Sequence, residues 1–141
     1  MGTAETKLTN KMRADGKHIY GERLVIVKYH GSAYTRAGTS DLLCCLDGRF
    51  IAVEVKAPES YGGSAEKALE QGPTVLQQAF IGHVMAAGGV AAVCATREQF
   101  LETLAEADRR NREACLYCYS NEEDGYGQFC TLHPLTELTS I

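Results

Sequence analysis

A carboxylate and an ammonium group lie two residues apart at the end of one apolar run. Side chains alternate along residues 49–56, so Glu54 and Lys56 would share one face of a strand. Asp41 opens the preceding apolar run, and the Asp-Gly pair at 47–48 is typical of a two-residue hairpin turn. A hairpin with this turn brings Asp41 close to Glu54 and Lys56.

Two carboxylates at that separation can share a hard divalent cation, which prefers oxygen ligands and keeps positions open for water and phosphate. The neighbouring Lys56 can hold or deprotonate an attacking water and offset charge in the transition state. These groups are the minimum set for phosphodiester hydrolysis. The same alternation is also typical of a surface strand with Glu and Lys in solvent, and the residues alone leave both interpretations open.

The elements that must position these groups follow from apolar periodicity and from turn residues. A helix ending at Gly16 precedes the first strand, and the helix that Pro73 opens is expected to turn its apolar side chains toward the core. The order predicts an α/β fold in which a crossover helix makes a parallel neighbour. The predicted helices cover residues 3–15, 73–87 and 96–112, and the predicted strands cover 23–30, 41–46, 49–56 and 90–95. The side chains expected to face the core from the helix over 73–87 are Val75, Leu76, Ala79, Phe80, Val84 and Met85.

The wider pattern resembles the virus-type replication-repair nuclease (VRR-NUC) family of the PD-(D/E)xK superfamily. The resemblance lies in GTSDLL at 38–43, GRFIAVEVK at 48–56, and Gln77 on a helix that ends before an apolar strand. It covers about residues 3–105. It implies a restriction-endonuclease-like core, a mixed central sheet flanked by helices, and a DNA endonuclease that depends on Mg²⁺ or Mn²⁺.

Residue by residue, Asp41 resembles the motif aspartate, Glu54 and Lys56 the ExK pair, and Gln77 the glutamine of the following helix. Glu5 is similar in placement to an acidic metal ligand on the first helix of the family. An acid in a first helical turn also favours the helix dipole, so both interpretations of Glu5 stay open.

Two features leave details of this resemblance undecided. The family usually has Pro before the aspartate where this chain has Ser40, and that position ligates nothing, so metal binding is expected to survive. Gln78 stands next to Gln77, and helical phase alone does not choose between them.

Charge is uneven along the chain. Residues 1–36 contain seven Lys or Arg against three acids, whereas the whole chain has a net charge of −4. A basic N-terminal third is compatible with a phosphate-binding face. In the family, the loop before the aspartate approaches the substrate. Two residues of that loop, Tyr34 and Arg36, are therefore added to the expected DNA contacts. The expected DNA contacts are Lys7, Lys11, Lys28, Tyr34 and Arg36.

Compact members of the family resemble junction resolvases, which implies a homodimer acting on branched DNA. A restriction-like or flap-directed nuclease without a dimer is the competing enzymatic interpretation. A catalytically silent DNA-binding or scaffold module with a zinc-stabilised C-terminal hairpin is the alternative of a different class.

The C-terminal part differs from the rest, and we divide the chain into a nuclease domain over 1–112 and a Cys-containing extension of the same domain over 113–141. Strand-like runs at 115–120 and 128–132 around an acidic turn predict a β-hairpin. Half-buried thiols are the alternative to metal, because residues 115 and 118 of a regular strand point to opposite faces. The residues with structural Zn²⁺ spacing are Cys115, Cys118, Cys130 and His133.

The remaining three of the six cysteines, Cys44, Cys45 and Cys94, lie in apolar runs and are expected in the core. The N-terminus lacks a secretion signal, and no apolar stretch approaches the roughly 20 residues that cross a bilayer. We therefore expect an intracellular protein without a membrane segment.

Overall fold

The computed structural model describes the backbone of residues 2–120 and the side chains of residues 2–114. A mixed four-stranded sheet has the strand order β1-β2-β3-β4, in which β1, β2 and β3 are antiparallel and β4 is parallel to β3. The predicted α/β class, with a mixed sheet flanked by helices, is confirmed. The elements are α1 (Ala4–Tyr20), β1 (Leu24–Lys28), β2 (Leu42–Leu46), β3 (Arg49–Val55), α2 (Ala65–Gln71), α3 (Val75–Ala86), β4 (Val90–Cys94) and α4 (Arg97–Ser120).

The predicted hairpin is present between β2 and β3. Asp47 and Gly48 both have positive φ, 49° and 86°, which is the conformation that tight hairpin turns require. Leu42 pairs with Val53 and Leu46 pairs with Arg49. Continuing this register by one residue places Asp41 opposite Glu54.

One face of the sheet carries the main core. Met12 of α1 and Phe100 and Leu104 of α4 are fully buried in one cluster with side chains of β1, β2 and β3. The helix α3 contacts β3 and β4, and Gln77 on it reaches Glu54, whose side chain alternates with the core-facing Val53 and Val55. The second face is therefore covered at β3 and β4.

Gly16 does not end the first helix as predicted. The helix continues to Tyr20, and Gly16 is buried where an added Cβ would stand 3.0 Å from Leu24 and 3.2 Å from Leu104. This glycine lets α1 approach β1 and α4 closely. Gly21, with φ 56°, follows the actual end of the helix.

Much of the predicted apolar face of α3 is exposed. Val75, Leu76 and Met85 are 81%, 57% and 55% exposed, and only Val84 is buried on this helix. Val75 precedes Val84 by nine residues, which is half a turn away at 100° per residue, so one sheet cannot cover both. The helix begins at Val75 with Thr74 as its N-cap, so Pro73 lies before the first turn.

The predicted strand over 115–120 is wrong, because α4 continues through Ser120 instead of ending near residue 112. The helix contains no Gly or Pro, and ion pairs at helical spacing support its later turns. The second predicted strand, 128–132, lies outside the described residues, as do Cys130 and His133. The zinc site therefore remains a prediction. The supporting pairs are Arg109–Glu106, Arg109–Glu113, Arg110–Glu106 and Arg112–Asp108.

The cysteines of the sheet divide by face. Cys44 and Cys94 are buried as expected, and burial raises the pKa of their thiols to about 12 and about 11. Cys45 is exposed, so its predicted core position is wrong. It pairs with Phe50 on the face that α3 leaves open near β1 and β2. Within residues 2–120, no helix combines the length and apolar character needed to cross a membrane.

Candidate active site

Two carboxylates meet where β2 begins and β3 ends. The Oδ2 atom of Asp41 accepts a hydrogen bond from the backbone N–H of Val55 at 2.9 Å, while its carbonyl accepts from the N–H of Tyr29 at 2.8 Å. The neighbouring β1 side thus fixes the backbone of Asp41, and the end of β3 fixes its carboxylate. Glu54 projects from the adjacent strand and is only 1% exposed.

The two oxygens of the Glu54 carboxylate have different surroundings. Oε1 accepts a hydrogen bond from Nε2 of Gln77 at 2.5 Å and lies 3.0 Å from Nζ of Lys56. Oε2 is buried, and no donor among the described residues reaches it. Buried polar atoms are nearly always paired, so this oxygen is available to a ligand.

Like charges crowd the site. Burial, and then the charge of Asp41, raise the pKa of Glu54 to about 7, against the lowering effect of Lys56. Burial and the charge of Asp41 also raise the pKa of Glu5. Burial lowers the pKa of Lys56, but the hydrogen bond that Lys56 donates to Glu54 and the charges of the nearby carboxylates outweigh it, so the net shift is upward. The ammonium form of Lys56 is therefore favoured in this arrangement.

Gln77 is held in one orientation by the start of α3. Its Oε1 accepts from the backbone N–H of Thr74 at 2.8 Å, and its own N–H donates to Oγ1 of Thr74 at 3.2 Å. This capping box occupies the amide oxygen and leaves the amide nitrogen to donate to Glu54. Gln78 instead donates to the carbonyl of Pro73 at 3.2 Å, so Gln77 is the glutamine that reaches the site.

The stem of Lys56 passes over Gly72, a residue that no motif in the sequence pointed to. A Cβ at Gly72 would stand 2.7 Å from Cγ of Lys56. Gly72 follows α2, which therefore borders the site. The missing side chain leaves room for Lys56 to extend toward Glu54.

The donor set fits a divalent cation of the Mg²⁺ or Mn²⁺ kind. Asp41 and Glu54 supply carboxylate oxygens, and the unpaired Oε2 of Glu54 is an available ligand atom. Among the described side chains, no group of three His, Cys, Asp or Glu forms a ready-made metal cluster. Glu5 thus influences the site through its charge, while two carboxylates leave coordination positions for water and phosphate.

The predicted DNA contacts lie on α1, at the end of β1 and in the loop before Asp41. Lys7 and Lys11 are exposed on α1 and line a groove with Pro58, and the charge of Lys28 acts on Glu5. Tyr34 is fully exposed, and the guanidinium of Arg36 lies 5.5 Å from the centre of the Phe80 ring. The contact between Arg36 and Phe80 links the loop before Asp41 to α3. No residue spacing in the sequence indicated this contact.

Comparison of the chain with protein-family models, with curated proteins and with solved structures found no match. Evidence for a function therefore comes from the arrangement of four side chains, those of Asp41, Glu54, Lys56 and Gln77.

Proposed function

We propose that this chain is a metal-dependent endonuclease that hydrolyses phosphodiester bonds in DNA, with a PD-(D/E)xK core of the VRR-NUC type. The observation that carries the proposal is the buried carboxylate of Glu54, which has one unpaired oxygen and faces a second carboxylate, Asp41. The resemblance of residues 38–56 to the family motif supports the same assignment.

The burial of Glu54 argues against a merely solubilising role for this side chain on the strand surface. A Glu that served only to solubilise a strand would stand in water, whereas Glu54 is 1% exposed. Burying a carboxylate costs several kcal/mol unless charge and hydrogen bonds compensate for it. Lys56 and Gln77 both act on Oε1, and Asp41 adds repulsion, so compensation within the protein is incomplete. A divalent cation between Asp41 and Glu54 would complete it.

The chain's own residues then take distinct roles. Asp41 and Glu54 would hold the cation, with Glu5 adding negative charge beside them. The cation, when bound, would lower the pKa of a coordinated water and neutralise phosphate charge. Lys56 orients the attacking water and offsets charge on the phosphate. Gln77 fixes the Glu54 carboxylate through its 2.5 Å hydrogen bond.

We further propose a homodimer that acts on branched DNA, in the manner of junction resolvases. An exposed apolar row supports a second copy: Val25, Val27 and Phe50 are 59%, 54% and 44% exposed on the open face of β1 to β3. Cys45 connects this row, because it pairs with Val25 on one side and Phe50 on the other. Contiguous exposed apolar patches of this kind mark association surfaces.

The test is cutting of labelled four-way junction, flap and plain duplex DNA with Mg²⁺, with Mn²⁺ or with chelator. Glu54→Ala and Lys56→Ala remove the two central groups, and Glu98→Gln and Lys67→Met are matched controls at exposed positions. We expect metal-dependent cutting that both site variants lose and both controls keep. Paired symmetric cuts in the junction identify a resolvase.

Intact DNA under every metal condition, together with retained binding, would refute the proposal and favour the silent scaffold. Equal cutting by wild type and Glu54→Ala would trace the activity to a contaminant.

A further inference from the structure

Three exposed apolar side chains border the candidate active site. Tyr34 is 100% exposed, Val75 is 81% exposed and Leu76 is 57% exposed. Val75 and Leu76 immediately precede Gln77, the residue that bonds Glu54. Exposed apolar surface so close to buried carboxylates has no role in holding the fold.

The loop that carries Tyr34 is fastened to the first turns of α3. Gly38 has φ +80°, and a Cβ on it would lie 2.6 Å from the carbonyl carbon of Leu76, so the two backbones approach as closely as a glycine allows. The guanidinium of Arg36 lies over the Phe80 ring, and Oγ1 of Thr39 donates to the carbonyl of Arg36 at 3.1 Å. The loop and the start of α3 therefore form one continuous surface.

A small hydrogen-bonded turn presents Tyr34 at the tip of this loop. The N–H of Ser32 donates to Oγ1 of Thr35 at 2.6 Å, and the N–H of Thr35 donates to the carbonyl of Ser32 at 3.1 Å. The N–H of Tyr34 donates to Oγ of Ser32 at 3.3 Å. A closed turn of this kind limits the backbone entropy lost when the ring meets a ligand.

The distance from Tyr34 to the site is short on the scale of a nucleic acid. The four residue steps between Tyr34 and Gly38 span at most about 14 Å, and Gly38 contacts Leu76 beside Gln77. A phosphate held at Asp41 and Glu54 thus has its neighbouring nucleotides within reach of this surface.

We propose that Tyr34, Val75 and Leu76 form a platform for bases that become unpaired at the branch point of the DNA, next to the bond that is cut. Flat apolar surfaces bind the faces of bases, and those faces are accessible only where the duplex is opened. Arg36, on the same loop as Tyr34 and in contact with Phe80 of α3, provides positive charge for the backbone that joins those bases. This inference depends on the proposed function, because it takes the scissile phosphate to lie at Asp41 and Glu54.

A second copy of the chain fits this surface less well than DNA does. A protein interface at Val75 and Leu76 would border Gln77 and Glu54 and obstruct the approach of a polymeric substrate. The apolar row of Val25, Val27 and Phe50 lies on the sheet and leaves the site open.

The platform can be tested by binding alone, in chelator, so that no DNA is cut. The probe is a forked oligonucleotide with 2-aminopurine in its unpaired arms, compared with a fully paired duplex of the same sequence. We expect wild type to prefer the fork by at least about fivefold, which corresponds to the lower end of base–aromatic stacking. The double variant Tyr34→Ala/Leu76→Ser loses this preference, while Tyr34→Phe keeps it because the ring remains. Ile19→Ser, at a 54% exposed position on α1, is the matched control and leaves the preference unchanged.

Equal affinity of wild type for fork and duplex, or an unchanged preference in the double variant, would overturn the platform. Loss of a dimer in light scattering without a change in DNA preference would assign the patch to a second copy and overturn it as well. Fork binding that depends on Tyr34 in a protein that never cuts supports the platform and refutes hydrolysis. Cutting without any fork preference refutes the platform alone.

Discussion

Replacing Glu54 by Gln should make the metal-free protein more stable at neutral pH. Gln keeps the shape of the side chain and an oxygen that accepts from Gln77, but it carries no charge. In the wild type, burial and the charge of Asp41 raise the pKa of Glu54 to about 7 from 4.5. The folded state therefore prefers the neutral form, which Gln imitates permanently.

The sign follows from proton binding. Between pH 4.5 and about 7 the folded Glu54 keeps its proton while the same residue in the unfolded chain has lost it. Fewer protons bound to the unfolded state mean that the free energy of unfolding falls as pH rises through this window. Below pH 4.5 both states are protonated, so this difference between wild type and variant disappears.

One pKa unit corresponds to about 1.4 kcal/mol, so a rise from 4.5 to about 7 gives an upper bound of roughly 3.5 kcal/mol above pH 7. Water penetration and relaxation reduce such values, so we expect a gain on the order of 2 kcal/mol for Glu54→Gln at pH 8. Urea unfolding in chelator at pH 4 and pH 8 measures the free energy of unfolding of both proteins. Mg²⁺ should then stabilise the wild type more than the variant.

A variant that is less stable than the wild type at pH 8, or a difference that is the same at both pH values, would refute the reasoning. Either result would mean that the buried charge of Glu54 is already fully compensated by Lys56 and Gln77.

Three further substitutions test separate contacts. Lys56→Met should lower the rate of single-turnover cutting by roughly 100-fold, the size of a lost acid–base or charge contribution. The affinity for DNA in chelator should stay within a few-fold of the wild type. Parallel losses of cutting and binding would contradict a role of Lys56 in the reaction. Gly72→Ala should slow cutting at least about tenfold by displacing Lys56. The added Cβ would lie 2.7 Å from Cγ of Lys56 and closer still to the carbonyl oxygen of Ala68, so the end of α2 and the lysine stem must both shift. The same rate assay on Gly82→Ala, where the Cβ meets nothing within 4 Å, should give the wild-type rate. Asn111→Ala removes a buried side chain that donates to the carbonyl of Leu46 and accepts from Arg49, so urea unfolding should register a loss of about 2 kcal/mol; a loss under about 0.5 kcal/mol would indicate that water replaces both bonds.

Local chemistry made the hairpin and its polar groups predictable. The Asp-Gly pair specifies a turn by the positive φ that both residues adopt, and alternation along the strand then determines which side chains share a face. Asp41, Glu54 and Lys56 therefore followed from positions within sixteen residues of one another. Gln77 came from the resemblance, and its orientation depends on the capping box with Thr74.

The features that the sequence failed to predict depend on what covers each surface. Glycine is a residue type that often ends a helix, but Gly16 lies inside α1 where this helix packs closely against β1 and α4. Cys45 is apolar and exposed because α3 covers only part of one sheet face. Val75 is exposed because it lies half a turn away from Val84 on α3. Residues 115–120 have strand-like composition, yet a helix that meets no Pro or Gly continues through them. Tertiary neighbours decided the placement of Gly16 and Cys45, whereas Val75 and residues 115–120 follow from the phase and the continuation of their own helices.

The two ends of the Gln77 amide serve different tasks, since its oxygen closes the first turn of α3 and its nitrogen holds Glu54. The assembly of the reactive centre is therefore coupled to the fraying equilibrium of a helix terminus. A terminal turn opens at a lower free energy than the global fold does. Heat should accordingly inactivate this protein at temperatures where its sheet is still intact, and ligands that rigidify the start of α3 would extend its working range.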